Sequence, residues 1–198
     1  EAFGSETCAC RDSCDAAEIA RFLHGELQHL MGERFGPDRP TVLRLQEESL
    51  RQRLTFFARV QARLASDGWR ILRPEIKASA ELHGMTVTGK IDRIDWHPEK
   101  GCRILDYKTW GGAKGTGSFC STSKRVVERA AACGLASFEP GGKGKPAVWT
   151  DLQLPLYQRL AEAMGNRLPI GGRAVECGYF VLGDTETETK CETWDFDA

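Results

Sequence analysis

The sequence has no apolar run approaching ~18 residues, so no transmembrane helix is expected. Its first residues, EAFGSETCAC, lack a basic n-region and an apolar h-region, so they do not read as a signal peptide. Net charge is also nearly absent, at −1 from 27 basic and 28 acidic side chains. A partner such as nucleic acid would therefore have to meet a local basic surface rather than a cationic molecule. No C-x-x-C spacing occurs among the eight cysteines, Cys8, Cys10, Cys14, Cys102, Cys120, Cys133, Cys177 and Cys191. Zinc and iron–sulfur sites usually show that spacing, so neither is expected. A chain of 198 residues needs no disulfide staples. The cysteines thus read as reduced thiols of a cytoplasmic protein, with no membrane partner. Internal repeats are missing too, and low complexity is confined to two glycine-rich loops.

What is present is ordinary globular material. Hydrophobic residues make up 41% and charged residues 28%, which excludes wholesale disorder and allows one domain with a full core. Residues 1–14 read as a loose lead-in, and 15–198 as a single domain. Asp15 suits a helix N-cap, and Ile19, Leu23, Leu27 and Leu30 follow at helical spacing. GERFGPDRP breaks that helix. A second is predicted over roughly 41–66, with Leu50, Leu54, Phe57, Val60 and Leu64 as its apolar stripe. Three strands are predicted next, over 69–82, 85–97 and 102–110, joined by turns short enough for an antiparallel meander. Residues 111–148 are rich in glycine and other breakers, and read as an insertion over a surface or groove, with a short helix near 121–133. A helix over 149–164 and strands over 174–182 and 190–196 complete the order. The class is α/β, a mixed β-sheet flanked by α-helices.

The chemistry-bearing signal is the strand pair GKIDRIDW and RILDYKT. Asp106 and Lys108 are two apart on a strand and so share a face. A hairpin can bring Asp92 beside Asp106. Two carboxylates with a backbone carbonyl suit a hard divalent cation, and a neighbouring ammonium can orient a water or stabilise charge on a phosphate. Asp95 falls on the opposite face with Arg93, as its ion-pair partner or a solvated group. A lone D-x-K is usually a surface ion pair.

Here it does not stand alone. ARFLHGELQHLM with His24, GKIDRID with Asp92, ILDYKT with Asp106 and Lys108, and DLQLPLY with Gln153 and Tyr157 occur in that order. In these blocks the sequence resembles the PD-(D/E)xK nuclease superfamily, and more narrowly its RecB-like, AddB- and Cas4-related domains. The resemblance implies a restriction-endonuclease-like core. It implies a metal-dependent DNA nuclease, with exonuclease action the leading expectation, that hydrolyses phosphodiester bonds within a helicase–nuclease repair or recombination protein. It implies Mg²⁺ or Mn²⁺ held by His24, Asp92, Asp106 and the Tyr107 carbonyl, and a catalytic set of Asp92, Asp106, Lys108, Gln153 and Tyr157. Glu75 matches, weakly, an acidic residue often seen on the first strand of the superfamily. Iron–sulfur members carry a C-x-x-C group after the nuclease motifs. Its absence after Tyr157 argues against a cluster. The stretch before the histidine helix is short, as in a C-terminal domain separated from a helicase-like part. The rival reading is a catalytically silent module of the same fold that binds DNA or a motor partner. Arg51, Arg53, Arg59 and Arg63, with Lys124, Arg125 and Arg129, are candidate phosphate contacts.

Overall fold

The computed structural model describes residues 2–109, 120–139, 145–165, 168 and 175–194. Helix α1 spans Ala16–Phe35, and Asp15 caps it by accepting the Ala17 N–H. Helix α2, Thr41–Ser66, runs back against it. Strands β1 (Arg70–Leu82), β2 (Met85–His97) and β3 (Gly101–Lys108) form the expected antiparallel meander. The β1–β2 hairpin closes on His83 and Gly84, both at positive φ (50° and 80°), as a two-residue hairpin turn demands. The two-residue strands β4 (Cys120–Ser121) and β5 (Val148–Trp149) pair outside the main sheet and flank helix α3, Lys124–Ala132. Helix α4 is Gln153–Met164, followed by β6 (Glu176–Val181) and β7 (Lys190–Trp194).

The main sheet has the order β1-β2-β3-β6-β7, with β3 and β6 parallel and every other pair antiparallel. It is a mixed sheet with helices on both faces, the restriction-endonuclease-like arrangement. On one face α4 packs Leu154, Tyr157, Leu160 and Ala161 against Ile91, Ile94, Ile104 and Tyr179. On the other, α1 and α2 bring Ile19, Phe57, Ala58 and Val60 against Ile71, Leu105 and Phe180.

Two expectations need correction. The segment before α1 is not a loose lead-in: Phe3 and Cys10 are buried in the α1–α2 core, and Phe3 meets Phe57 edge to face with ring centroids 5.9 Å apart. Phe3 and Gly4 lie outside any periodic stretch, so no pattern announced them. The fourth helix begins at Gln153 rather than 149. Trp149 is taken into β5, Asp151 Oδ1 accepts the Gln153 N–H, and Pro155 tolerates only the first turn, where its missing donor costs nothing. Asp95, expected as the partner of Arg93 or a solvated group, is that partner, and it is fully buried. The segments 111–119 and 140–144 of the expected insertion, and the outer ends of the strands expected at 102–110, 174–182 and 190–196, lie outside the described residues.

Three buried charges, Arg93, Asp95 and Arg103, sit on the α1–α2 face. Arg93 Nε donates to Asp95 Oδ1 (2.6 Å) and its Nη2 to Asp95 Oδ2 (2.9 Å), while Arg103 Nη2 donates to the same Oδ2 at 2.8 Å. Burial opposes the Arg93 charge, yet the adjoining Asp95 outweighs it and drives the pKa upward. The rings of Phe180 and Trp69 lie over Arg93 and Arg103 (5.5 and 3.9 Å) and receive the excess cation. Two guanidinium groups therefore depend on one carboxylate. Asp95→Ala should cost about 3–5 kcal/mol, because it leaves two buried cations unpaired. Chemical denaturation of the variant should show that loss, while Asp95→Asn should recover part of it.

Candidate active site

Asp92, Asp106 and Lys108 lie where β2 and β3 separate. Their pairing runs from His97↔Gly101 to Arg93↔Leu105 and goes no further. One residue on, Asp92 Oδ2 accepts the backbone N–H of Tyr107 at 3.0 Å. The carboxylate thus replaces the strand partner that Tyr107 would otherwise need. Asp92 also interrupts the side-chain alternation. Ile91 and Ile94 both enter the α4 core, while Arg93 is turned to the other face. Opposite it, Glu75 holds φ at 47°, left-handed for a non-glycine residue, between the register pairs Pro74↔Arg93 and Ile76↔Ile91. The two strands turn together at this point, and Glu75 pairs with Lys90 across it.

Asp106 and Lys108 point to the α4 face, as the two-residue spacing requires. Asp106 is 3% exposed, and its Oδ2 lies 2.5 Å from Lys108 Nζ. That oxygen forms an ion pair with the ammonium but no aligned hydrogen bond. Gln153 links the pair. Its Nε2 donates to Asp106 Oδ1 at 2.6 Å, and its Oε1 accepts from Lys108 Nζ at 2.9 Å. Tyr157, one turn on, holds Gln153 Nε2 at 3.0 Å and donates its own hydroxyl to the Lys90 carbonyl at 2.7 Å. A Cβ on Gly89 would come within 2.7 Å of Leu160, so the bare glycine lets α4 lie low enough for these bonds. Five of the residues singled out in the sequence, Asp92, Asp106, Lys108, Gln153 and Tyr157, are therefore brought together. Tyr107 joins them through its backbone.

His24 is not brought into that group. Its Nε2 lies 3.0 Å from the Arg51 carbonyl and 3.1 Å from the Thr55 hydroxyl, a contact between α1 and α2. Among the described residues, no three His, Cys, Asp or Glu side chains form a set that could hold a metal ion. Of the basic residues proposed for phosphate, Arg53 is spent on Asp184 and on the Leu182 and Thr109 carbonyls, and Arg59 on Glu186. Lys124, Arg125 and Arg129 lie on α3 with exposed side chains. Sequence reasoning missed a cavity of about 290 Å³ beside Asp92, walled by Phe3, Leu54, Phe57 and Tyr107. Only the Leu54 and Phe57 stripe hinted at it.

A divalent cation suits the Asp92–Asp106 pair. Burial pushes the Asp106 pKa up; Lys108 opposes that, and the adjoining Asp92 carboxylate adds to it. A second positive charge would relieve the repulsion and engage the Oδ2 that no hydrogen bond satisfies. Because the folded-state pKa is raised, stability contributed by protonated Asp106 is lost as pH rises through it. Asp106→Asn should therefore gain on the wild type as pH is raised from 4 to 8 in metal-free buffer. Mn²⁺ should raise the wild-type Tm and leave that of the variant unchanged. Thermal melts at the two pH values, with and without the ion, check both.

A sequence model of the PD-(D/E)XK nuclease superfamily matches residues 4–125, more than half of the chain and inclusive of Asp92, Asp106 and Lys108. No curated protein matches the chain. With the mixed sheet and the carboxylate–lysine site on adjacent strands, this match establishes that the chain belongs to the PD-(D/E)XK nuclease superfamily.

Proposed function

We propose that the protein is a divalent-metal-dependent deoxyribonuclease of the RecB-like group, hydrolysing phosphodiester bonds as an exonuclease. On this reading it works in the cytoplasm beside a helicase domain or subunit in DNA repair or recombination. The observation that carries the reading is the Gln153 amide joined at once to Asp106 and Lys108. An amide that donates to a carboxylate and accepts from an ammonium fixes the two side chains relative to one another beside the strand fork.

Asp92, Asp106 and the Tyr107 carbonyl would hold Mg²⁺ or Mn²⁺. The ion would lower the pKa of a bound water and offset charge on the phosphate. Lys108 orients that water or meets the charge that develops on the phosphoryl oxygens. Tyr157 positions Gln153, and Gln153 positions Lys108. His24 enters as a ligand only by giving up Arg51 and Thr55, so it ranks behind the carboxylates.

The test is cleavage of 5′- and 3′-labelled single- and double-stranded DNA with Mg²⁺ or Mn²⁺. Metal-dependent cleavage should be lost in Asp106→Ala and Lys108→Ala, and the ladder should give the polarity. Gln153→Ala should lower the rate about 10- to 100-fold with little change in KM, as loss of a positioning group does. His24→Ala should cost less than any of these. A wild-type protein that leaves all four substrates intact with both ions would overturn the proposal.

A further inference from the structure

The cavity beside Asp92 lies on the α1–α2 face of the sheet, and its wall includes Asp92 and Tyr107 themselves. Its volume, about 290 Å³, comfortably exceeds that of one flat aromatic ring system. The lining is chiefly Phe3, Leu23, Leu54, Phe57 and Ile71. Phe57 stands centrally, with Phe3 at 5.9 Å and Tyr107 at 6.2 Å between ring centroids. Tyr107 is 36% exposed, so part of its ring faces open space.

The charges around the cavity restrict what can enter. Glu75 and Asp92 are the carboxylates of its wall, and Arg93 is its lining cation. Arg93 is committed to Asp95 and to the Tyr107 hydroxyl. With Asp92 given to the metal set of the proposed site and Glu75 paired with Lys90, the rest of the wall offers a phosphate no uncommitted cation. A neutral, flat, apolar-faced group finds aromatic and aliphatic walls. In the proposed reaction such a group comes with the substrate, because each scissile phosphate carries a nucleoside on either side.

We propose that this cavity is a nucleobase pocket: it receives one unstacked base of the nucleotide whose phosphate lies at Asp92 and Asp106. The inference rests on the nuclease reading of that site. The walls offer stacking and apolar contact rather than a pattern of donors and acceptors, so the pocket takes any base. A base still paired in a duplex does not enter without leaving its stack. Phe3 and Gly4 make the segment ahead of α1 part of substrate binding.

The experiment uses the full chain with Mn²⁺ and end-labelled single strands carrying one abasic nucleotide, moved along the strand position by position. Cleavage at the phosphate next to the abasic nucleotide should fall roughly tenfold or more, the scale of one base stacked on an aromatic side chain. Leu54→Trp, and separately Leu23→Trp, should fill the cavity. Each should lower cleavage of normal strands by a similar factor and abolish the abasic effect, while the Mn²⁺-induced rise in Tm persists as proof of a folded site. Equal cleavage beside base and abasic positions, with both filled variants as active as wild type, would overturn the pocket and leave the nuclease standing. If the wild type cuts nothing, the nuclease reading fails, and the pocket is decided by fluorescence of a strand bearing 2-aminopurine. A change on adding protein that Leu54→Trp and Leu23→Trp remove supports the pocket, and no change overturns it.

Discussion

The carboxylate of Asp95 is the point on which this structure turns. It lies near the end of β2, fully buried, and carries two guanidinium groups from adjacent strands. Such a cluster has few alternative arrangements. A slip of β2 against β3 would carry Asp95 away from Arg103 and strand that cation in a low-dielectric interior. The pairing of Arg93 with Leu105 is thereby fixed, and with it the place where the strands fork. Arg93 also donates to the Tyr107 hydroxyl at 3.2 Å, so the ring is anchored on one face while the Tyr107 backbone N–H binds Asp92. The chemistry on the α4 face is held in register by charges on the opposite face.

A second constraint is the close approach of α4. The helix contributes no group of its own to the proposed metal set. Its part is to deliver Gln153 and Tyr157 to the strands, through bonds of 2.6–3.0 Å that end on Asp106, Lys108 and the Lys90 carbonyl. Lys108 also lies 5.1 Å from the Tyr179 ring centroid, so the ammonium is confined by amide, carboxylate and ring together. A flexible lysine is in this way reduced to nearly one geometry.

Much of this was legible in the sequence, because the relevant patterns are local. Alternation placed Asp106 and Lys108 on one face. Short turns required a meander. The i, i+4 spacing put Gln153 beside Tyr157. The family match extends over the strand motifs and supports the same reading. Where the sequence misled, the deciding contact was distant. Nothing near Phe3 shows that Phe57, more than fifty positions on, will receive it. His24 has the place of a ligand in its motif, and the Arg51 carbonyl that its ring meets belongs to α2, a contact no local pattern announces. Period-two reasoning failed at Asp92, because the paired turn with Glu75 reverses the faces there. The partner of Arg93 was readable from spacing, whereas the burial of that pair depends on both helices behind the sheet.

Gly89 gives this arrangement an unexpected kind of fragility. It carries no charge and none of the chemistry, although it opens the GKIDRID block that marks the site. Yet its missing side chain is the clearance that lets Leu160, and hence the whole helix, settle on the strand. A methyl group at that position would meet the end of the Leu160 side chain, which would have to shift, while every charged and amide group of the site stayed in the sequence. In this superfamily member, carrying the reactive groups and seating them are separate properties, and the opening glycine of a motif serves the second.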